Sequence, residues 1–310
     1  MFNSVYWEVS GVCNAHCPFC CNGKNSISGE FHKKLSGLIV LEKFIHALDY
    51  LFEKKQISPN LTTLNLYNWG EPLLHPDLNK IIDYIADVGY TYNISTNGSR
   101  EYLFSQKAIK KIGNLTFSLP GFSQESYKRI HGFNFKSILY NIENIIKTIL
   151  DRGFAGIFTI SFHVYRFNVS EIEKAREFFS SLPVTFTPTM AYLNGSSMMF
   201  DYCSRELHPA LRSKVDQELF TDHYFNIIKP VGYICPQYDI LVLDEFCNVM
   251  LCCGVDKATD GYSLGNIYEI DFDSLRSQRF QTPICAKCQS LNVEYIWHNP
   301  NVCLSSIDLE

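Results

Sequence analysis

The chain has no apolar run approaching the roughly 20 residues that a helical membrane span requires, and no Lys/Arg run longer than two. The first absence speaks against a membrane protein. The second, with a net charge of −5 and a pI near 6.0, speaks against a nucleic-acid partner. Met1-Phe2-Asn3-Ser4 lacks a charged region followed by an apolar one, so no secretory signal is visible and a cytoplasmic setting is expected. In such a reducing compartment twelve cysteines read as metal ligands rather than disulfides. Nor is there the charge excess of a disordered chain. With 46% hydrophobic and 19% charged residues, 310 residues can bury a sizeable core in one or two domains.

What the chain has is Cys13-Asn14-Ala15-His16-Cys17-Pro18-Phe19-Cys20, a C-x3-C-x2-C loop reached directly from the strand-like run Val5-Tyr6-Trp7-Glu8-Val9. Three thiolates so spaced can hold three irons of a cubane cluster, leaving the fourth iron open to an exchangeable ligand. Zinc is the alternative, but structural zinc sites are closed and four-coordinate. A fourth ligand from elsewhere, such as the neighbouring Cys21, would close the site.

Short β-rich runs near 4–10, 62–67, 90–95, 115–119, 156–163 and 184–189 alternate with amphipathic segments near 40–55, 77–88, 101–112, 136–151 and 170–181. Ile138, Ile142, Ile145 and Ile146 share one helical face. Six βα repeats predict an α/β fold with a parallel sheet, right-handed crossovers and functional loops at the strand C-terminal ends. The cysteine loop follows the first strand. Asn68-Trp69-Gly70-Glu71-Pro72 follows the second, and Ser95-Thr96-Asn97-Gly98 the third.

The C-x3-C-x2-C loop, with Phe19 before its third cysteine, resembles the signature of the radical S-adenosylmethionine (SAM) superfamily. That resemblance covers roughly residues 1–195 and implies a partial (β/α)6 TIM-like barrel with a SAM-binding [4Fe-4S] cluster on Cys13, Cys17 and Cys20. It further implies that SAM chelates the open iron and is split by one electron into methionine and a 5′-deoxyadenosyl radical, which removes a substrate hydrogen atom. The electron would come from a donor such as flavodoxin or ferredoxin. The segment around Gly70 and Glu71 resembles the family's G-G-E-P, with Trp69 in place of the first glycine. Ser95 and Asn97 belong to a segment similar to its S/T-N-G. Ser118-Leu119-Pro120-Gly121 stands where many relatives have S-[LI]-D-G, which implies a SAM contact for Ser118, with Pro120 departing from the acidic position. Phe19, Gly70, Glu71, Ser95, Asn97 and Ser118 are therefore the expected cofactor contacts. His163 and Arg166, ending the fifth strand, are further candidates for SAM or substrate.

Residues 196–230 read as a connector with a helix near 206–219, and 231–310 as a small cysteine-rich domain. Cys235, Cys247 and Cys252, then Ser263–Ile267, then Cys285-Ala286-Lys287-Cys288, resemble the family's C-terminal SPASM and twitch domains. The resemblance implies one auxiliary [4Fe-4S] cluster on Cys235, Cys252, Cys285 and Cys288, as in the shorter twitch domains. A zinc ribbon is the alternative reading of such pairs. Cys247 stands at a usual glycine position and is expected in a turn. In the pair Cys252-Cys253, adjacent side chains of an extended segment diverge, which leaves Cys253 as a free thiol beside the cluster. Peptide and aminoglycoside epimerases of this superfamily return a hydrogen atom from such a cysteine.

The expected function is therefore epimerisation of a carbon centre with Cys253 as hydrogen donor. A twitch-type dehydrogenase of an aminocyclitol or sugar alcohol, a peptide-crosslinking enzyme and a non-catalytic iron–sulfur protein are the alternatives. The last needs neither an open iron nor SAM loops. With no peptide-recognition domain before residue 1, a small aminosugar-like substrate is favoured over a peptide. Two cysteine sets predict about eight irons per chain after anaerobic reconstitution. Replacing Cys13, Cys17 and Cys20 by Ala should remove about half of that iron and all SAM cleavage. Iron analysis checks this, and stoichiometric zinc without iron would contradict it.

Overall fold

Along Ile157–Val164 every second side chain (Phe158, Ile160, Phe162, Val164) is buried, while Thr159, Ser161 and His163 face the opposite side and are only half-buried. This is the two-residue period of a strand with an apolar face against helices and a polar face inward. The computed structural model describes residues 1–23 and 37–299, and Cys303 lies outside them. Its strands are β1 (Ser4–Trp7), β2 (Thr63–Asn65), β3 (Thr91–Thr96), β4 (Ile112–Leu119), β5 (Ile157–Val164), β6 (Thr185–Met190), β7 (Ile240–Leu243), β8 (Asn248–Met250) and β9 (Ser263–Asn266). They form one sheet in the order β6-β5-β4-β3-β2-β1-β7-β8-β9.

All six expected strands form, parallel to one another and in sequence order. The sheet does not stop there. β7 lies parallel beside β1, with Ser4 opposite Ile240 and Trp7 opposite Leu243, and β8 and β9 follow antiparallel. The cysteine-rich segment thus enters the same sheet beside the strand that carries the first cysteine loop. A polar ladder runs across the strands. Asn65 donates to the Val5 carbonyl and accepts from Asn93 (2.9 Å). The Asn114 N–H reaches Asn93 Oδ1 (2.8 Å), and Thr159 donates to Asn114 (3.0 Å). Each amide is satisfied by its neighbour, as buried polar groups must be.

The outer layer is helical. Leu41–Glu53, Leu78–Asp87, Phe135–Leu150 and Ile172–Phe179 match expected segments. In Phe135–Leu150, Asn134 caps the first turn through the Ser137 N–H, and Ile138, Ile142, Ile145, Ile146 and Ile149 are buried. Each such side chain contributes roughly 1.5–3 kcal/mol. The helix expected over 101–112 shrinks to Gln106–Ile109, because β4 begins already at Ile112. Gln124–Ile130, capped by Ser123, was not expected. Ser196–Ser204 also forms a helix inside the expected connector. Its first turn is held by Asp256, which accepts from the Ser197 N–H (2.9 Å) and hydroxyl (2.8 Å) across 59 residues of sequence, a cap no local reading finds. The helix expected near 206–219 is Pro209–Glu218. Among the described residues no helix is long and apolar enough to cross a membrane.

Candidate active site at the strand C-terminal ends

The loops after β1, β2 and β3 are tied together by two buried carboxylates. Glu8 leaves β1 and accepts from the backbone N–H groups of Trp69 (2.5 Å) and Gly70 (3.2 Å). Glu71 accepts from the Leu73 N–H (3.0 Å), the Thr96 hydroxyl (2.7 Å) and the Asn97 N–H (2.7 Å). Burial pushes Glu8 up to about 8 and Glu71 up to about 7, with the backbone donors pulling both back down. The side chain of Glu71 therefore acts within the protein, clasping the second loop to the third. Glu8 was not expected from the sequence. Its position in a strand-like run gave no sign that it would cap another loop.

Contact between the first two loops is close. A Cβ on Gly70 would lie 1.8 Å from the Ser10 carbonyl oxygen, so only glycine lets these backbones meet. The Glu71 N–H donates to the Val12 carbonyl (2.8 Å), and Asn22 donates to the carbonyls of Gly11 (2.9 Å) and Trp69 (3.1 Å). From the third loop, Asn97 Nδ2 reaches Asn14 Oδ1 (3.0 Å) and lies 4.0 Å from the Cys13 sulfur. Ser95 and Ser118, ending β3 and β4, stand 3.4 Å apart between hydroxyls. The cysteine loop and every expected SAM segment thus share one mouth.

Within that loop Cys13, Cys17 and Cys20 are close enough to raise one another's acidity cost. Burial, then the neighbouring thiols, pushes Cys17 well up, and burial pushes Cys13 up to about 12. The Cys20 thiol is lowered, chiefly by a hydrogen bond from Cys21. Cys21 itself is buried against Gly195, where a Cβ would lie 3.2 Å from its sulfur. Phe19 is 3% exposed and packs on Tyr165, ring centroids 5.9 Å apart, so its ring belongs to the floor beneath the loop. His163 lies inside the sheet, pushed down to about 4 by burial. Arg166 turns away: it donates to the Leu219 carbonyl, pairs with Asp222 and stacks over Phe220.

The C-terminal cysteines fall into separate places. Cys235, Cys252, Cys285 and Cys288 line one space with Arg279, Glu294, Trp297 and His298. Cys247 is buried in the β7–β8 turn at φ +65°, the left-handed conformation that its glycine-like position implied. Cys253 does not line that space. The pair sits in a turn after β8 rather than in an extended segment, and the two thiols interact with each other. Cys253 Sγ accepts from Gln237 Nε2 (3.0 Å), and its N–H donates to Gln237 Oε1 (3.2 Å). Burial raises the phenols of Tyr6, Tyr67 and Tyr192, in β1 and just after β2 and β6, and the Cys253 sulfur adds to each. With its amide nitrogen facing Cys253, Asn68 donates to the Cys253 carbonyl (3.3 Å) and accepts from Trp69 Nε1 (2.9 Å). Burial pushes the Cys253 thiol up to about 11. Among the described residues, no three His, Cys, Asp or Glu side chains gather around a single-ion site.

The model of the radical SAM superfamily matches residues 7–179. No curated protein sequence matches the chain. Among solved structures, Streptococcus suis SuiB bound to precursor peptide SuiA superposes with a TM-score of 0.58 at 13% identity, over 94% of this chain and 67% of that one. Native anSMEcpe with bound AdoMet gives 0.56 at 14%, over 92% and 82%.

The loop geometry yields a binding prediction. Gly70→Ala forces the first two loops apart and should abolish SAM binding to the reconstituted protein while far-UV circular dichroism stays unchanged. Glu8→Gln removes one of two acceptor oxygens and should weaken SAM binding about tenfold, for a lost buried hydrogen bond of roughly 1–3 kcal/mol. Anaerobic equilibrium binding measures both, and wild-type affinity in either variant would contradict the assignment of this mouth to SAM.

Proposed function

The chain belongs to the radical SAM superfamily, and from that premise we propose that it is an epimerase in which Cys253 returns the hydrogen atom. Its core, over 1–195, would carry SAM and a [4Fe-4S] cluster on Cys13, Cys17 and Cys20. A connector, 196–230, would lead to an auxiliary domain, 231–310, with a second cluster on Cys235, Cys252, Cys285 and Cys288. One observation supports the auxiliary cluster: the four thiols line one space. When bound and reduced by one electron, SAM supplies the 5′-deoxyadenosyl radical that takes a hydrogen atom from substrate carbon.

One observation carries the choice of reaction. Cys252 lines the C-terminal space, whereas the adjacent Cys253 does not, and Cys253 interacts with Tyr6, Tyr67 and Tyr192, which come from β1 and from the segments just after β2 and β6. A thiol there can give its hydrogen atom to a carbon radical from the face opposite to abstraction. The S–H bond breaks, an inverted C–H bond forms, and the thiyl radical left on Cys253 needs one electron and one proton to return to thiol. A flavodoxin- or ferredoxin-like donor is the proposed source of electrons. Gln237 holds the sulfur in place through Nε2 without taking its hydrogen. The tyrosines and the half-buried His163 offer neutral polar contacts, which suit an aminosugar-like substrate. A peptide is the second substrate class, since SuiB and anSMEcpe both have structures with peptides bound.

Small-molecule and peptide fractions incubated with the reconstituted enzyme, SAM and reductant in deuterated water provide the test. The product should match its substrate in composition except for one hydrogen replaced by deuterium, because the Cys253 thiol exchanges with solvent. Cys253→Ala should keep its iron and its 5′-deoxyadenosine formation while losing the deuterated epimer. A product that has lost two hydrogens, formed equally well by Cys253→Ala, would overturn the epimerase in favour of a dehydrogenase or crosslinking enzyme.

A further inference from the structure

The space lined by the C-terminal cysteines also holds a guanidinium with donors to spare. Arg279, from the helix Leu275–Phe280, is 1% exposed. Its Nη1 donates to the carbonyls of Gln237 (2.6 Å) and Ile240 (2.7 Å). Nε and Nη2 are buried and have no acceptor. A permanently charged group buried with unused donors is strongly unfavourable unless an anion faces it. The thiols that interact with it are Cys252, Cys285, Cys235 and Cys253. Glu294 is the other charged side chain lining the space. Its Oε1 is held by Lys229 at 2.5 Å, so that pair is internally balanced, and its Oε2 is buried without a donor. Arg279 is thus the cation that no carboxylate in the space neutralises.

We propose that Arg279 is a tuning residue for the auxiliary cluster, donating its Nε and Nη2 hydrogens to the cluster's sulfurs and raising its reduction potential. This rests on the auxiliary-cluster reading above. Four thiolates and an iron–sulfur core form the polynuclear anion that the unused donors require. Hydrogen bonds and positive charge at the sulfurs favour the reduced, more negative state, and the chain thereby sets the potential from outside the ligand set. The same guanidinium reaches toward the candidate hydrogen donor. Its Nη1 holds the Gln237 carbonyl, and the Gln237 side chain holds Cys253. Arginine is suited to this double task because its planar fork keeps several donors in fixed directions, which lysine cannot do.

The test uses the full chain carrying Cys13→Ala, Cys17→Ala and Cys20→Ala, so that only the auxiliary site can bind a cluster. It is reconstituted anaerobically with iron and sulfide and titrated with dithionite while the reduced signal is followed by electron paramagnetic resonance. The Arg279→Met variant should show a midpoint potential shifted to lower values at unchanged iron content. Arg279→Lys, keeping the charge without the fork, should fall between. Should Arg279→Met fail to fold, as read by circular dichroism, Arg279→Lys alone decides. An unchanged potential with the cluster intact would overturn the tuning role. Absence of any iron–sulfur signal while Arg279 is still present would instead overturn the auxiliary-cluster reading itself.

Discussion

Everything chemical in this molecule depends on β1 being flanked on both sides by parallel strands, β2 on one edge and β7 on the other. β2 delivers the Trp69–Pro72 loop to the end of β1. β7 delivers the turn that leads, through β8, to Cys252 and Cys253. The two arrivals are held at the same place by buried acidic side chains. Glu8 accepts from the second loop. Glu245, in the turn after β7, accepts from the Gly37 N–H (2.7 Å) and pairs with Lys257 (2.5 Å). Glu8 and Glu245 repel, and Lys257 steadies both. A buried group of this kind is costly to break, since removing one partner strands the others without water.

That arrangement brings two cysteine sets far apart in sequence onto one sheet. The first set sits at the mouth of the curved sheet, and the second lines a separate space behind the turn after β8. Between them stands Cys253, and Gln237 links its sulfur to Arg279 on the far side. A Cβ on Gly254 would come within 2.4 Å of the Trp297 ring, so the residue after the pair must be small for the turn to fit under that side chain. Cys252 and Cys253 thus sit at a tight, covered turn and not in an extended strand.

Local pattern made much of this legible. The strand runs, the cysteine spacing and the glycine-like position of Cys247 are properties of neighbouring residues, and the structure shows each where the sequence pointed. What stayed hidden depends on partners remote in the chain. Glu8 reads as one polar residue in a strand until β2 brings Trp69 and Gly70 to it. Glu71 looks like a ligand-contacting acid until Thr96 and Asn97 arrive to occupy it. Arg166 looked free at a strand end, but Asp222 and Phe220 hold it outward. Ser196–Ser204 needed Asp256 as its cap, and Arg279 gains its meaning only from the cysteines that surround the same space. Propensity and spacing cannot report such pairings.

The central claim is that neighbouring cysteines do different work, Cys252 at the auxiliary iron and Cys253 as a free thiol facing the reacting carbon. A crystal structure of the anaerobically reconstituted protein with SAM, with iron located by anomalous scattering, tests it most directly. The account predicts iron beside Cys235, Cys252, Cys285 and Cys288, and an unligated Cys253 sulfur opening onto the SAM-filled mouth between Tyr6, Tyr67 and Tyr192. Iron bound to Cys253, or a Cys253 sulfur walled off from that mouth, would contradict it.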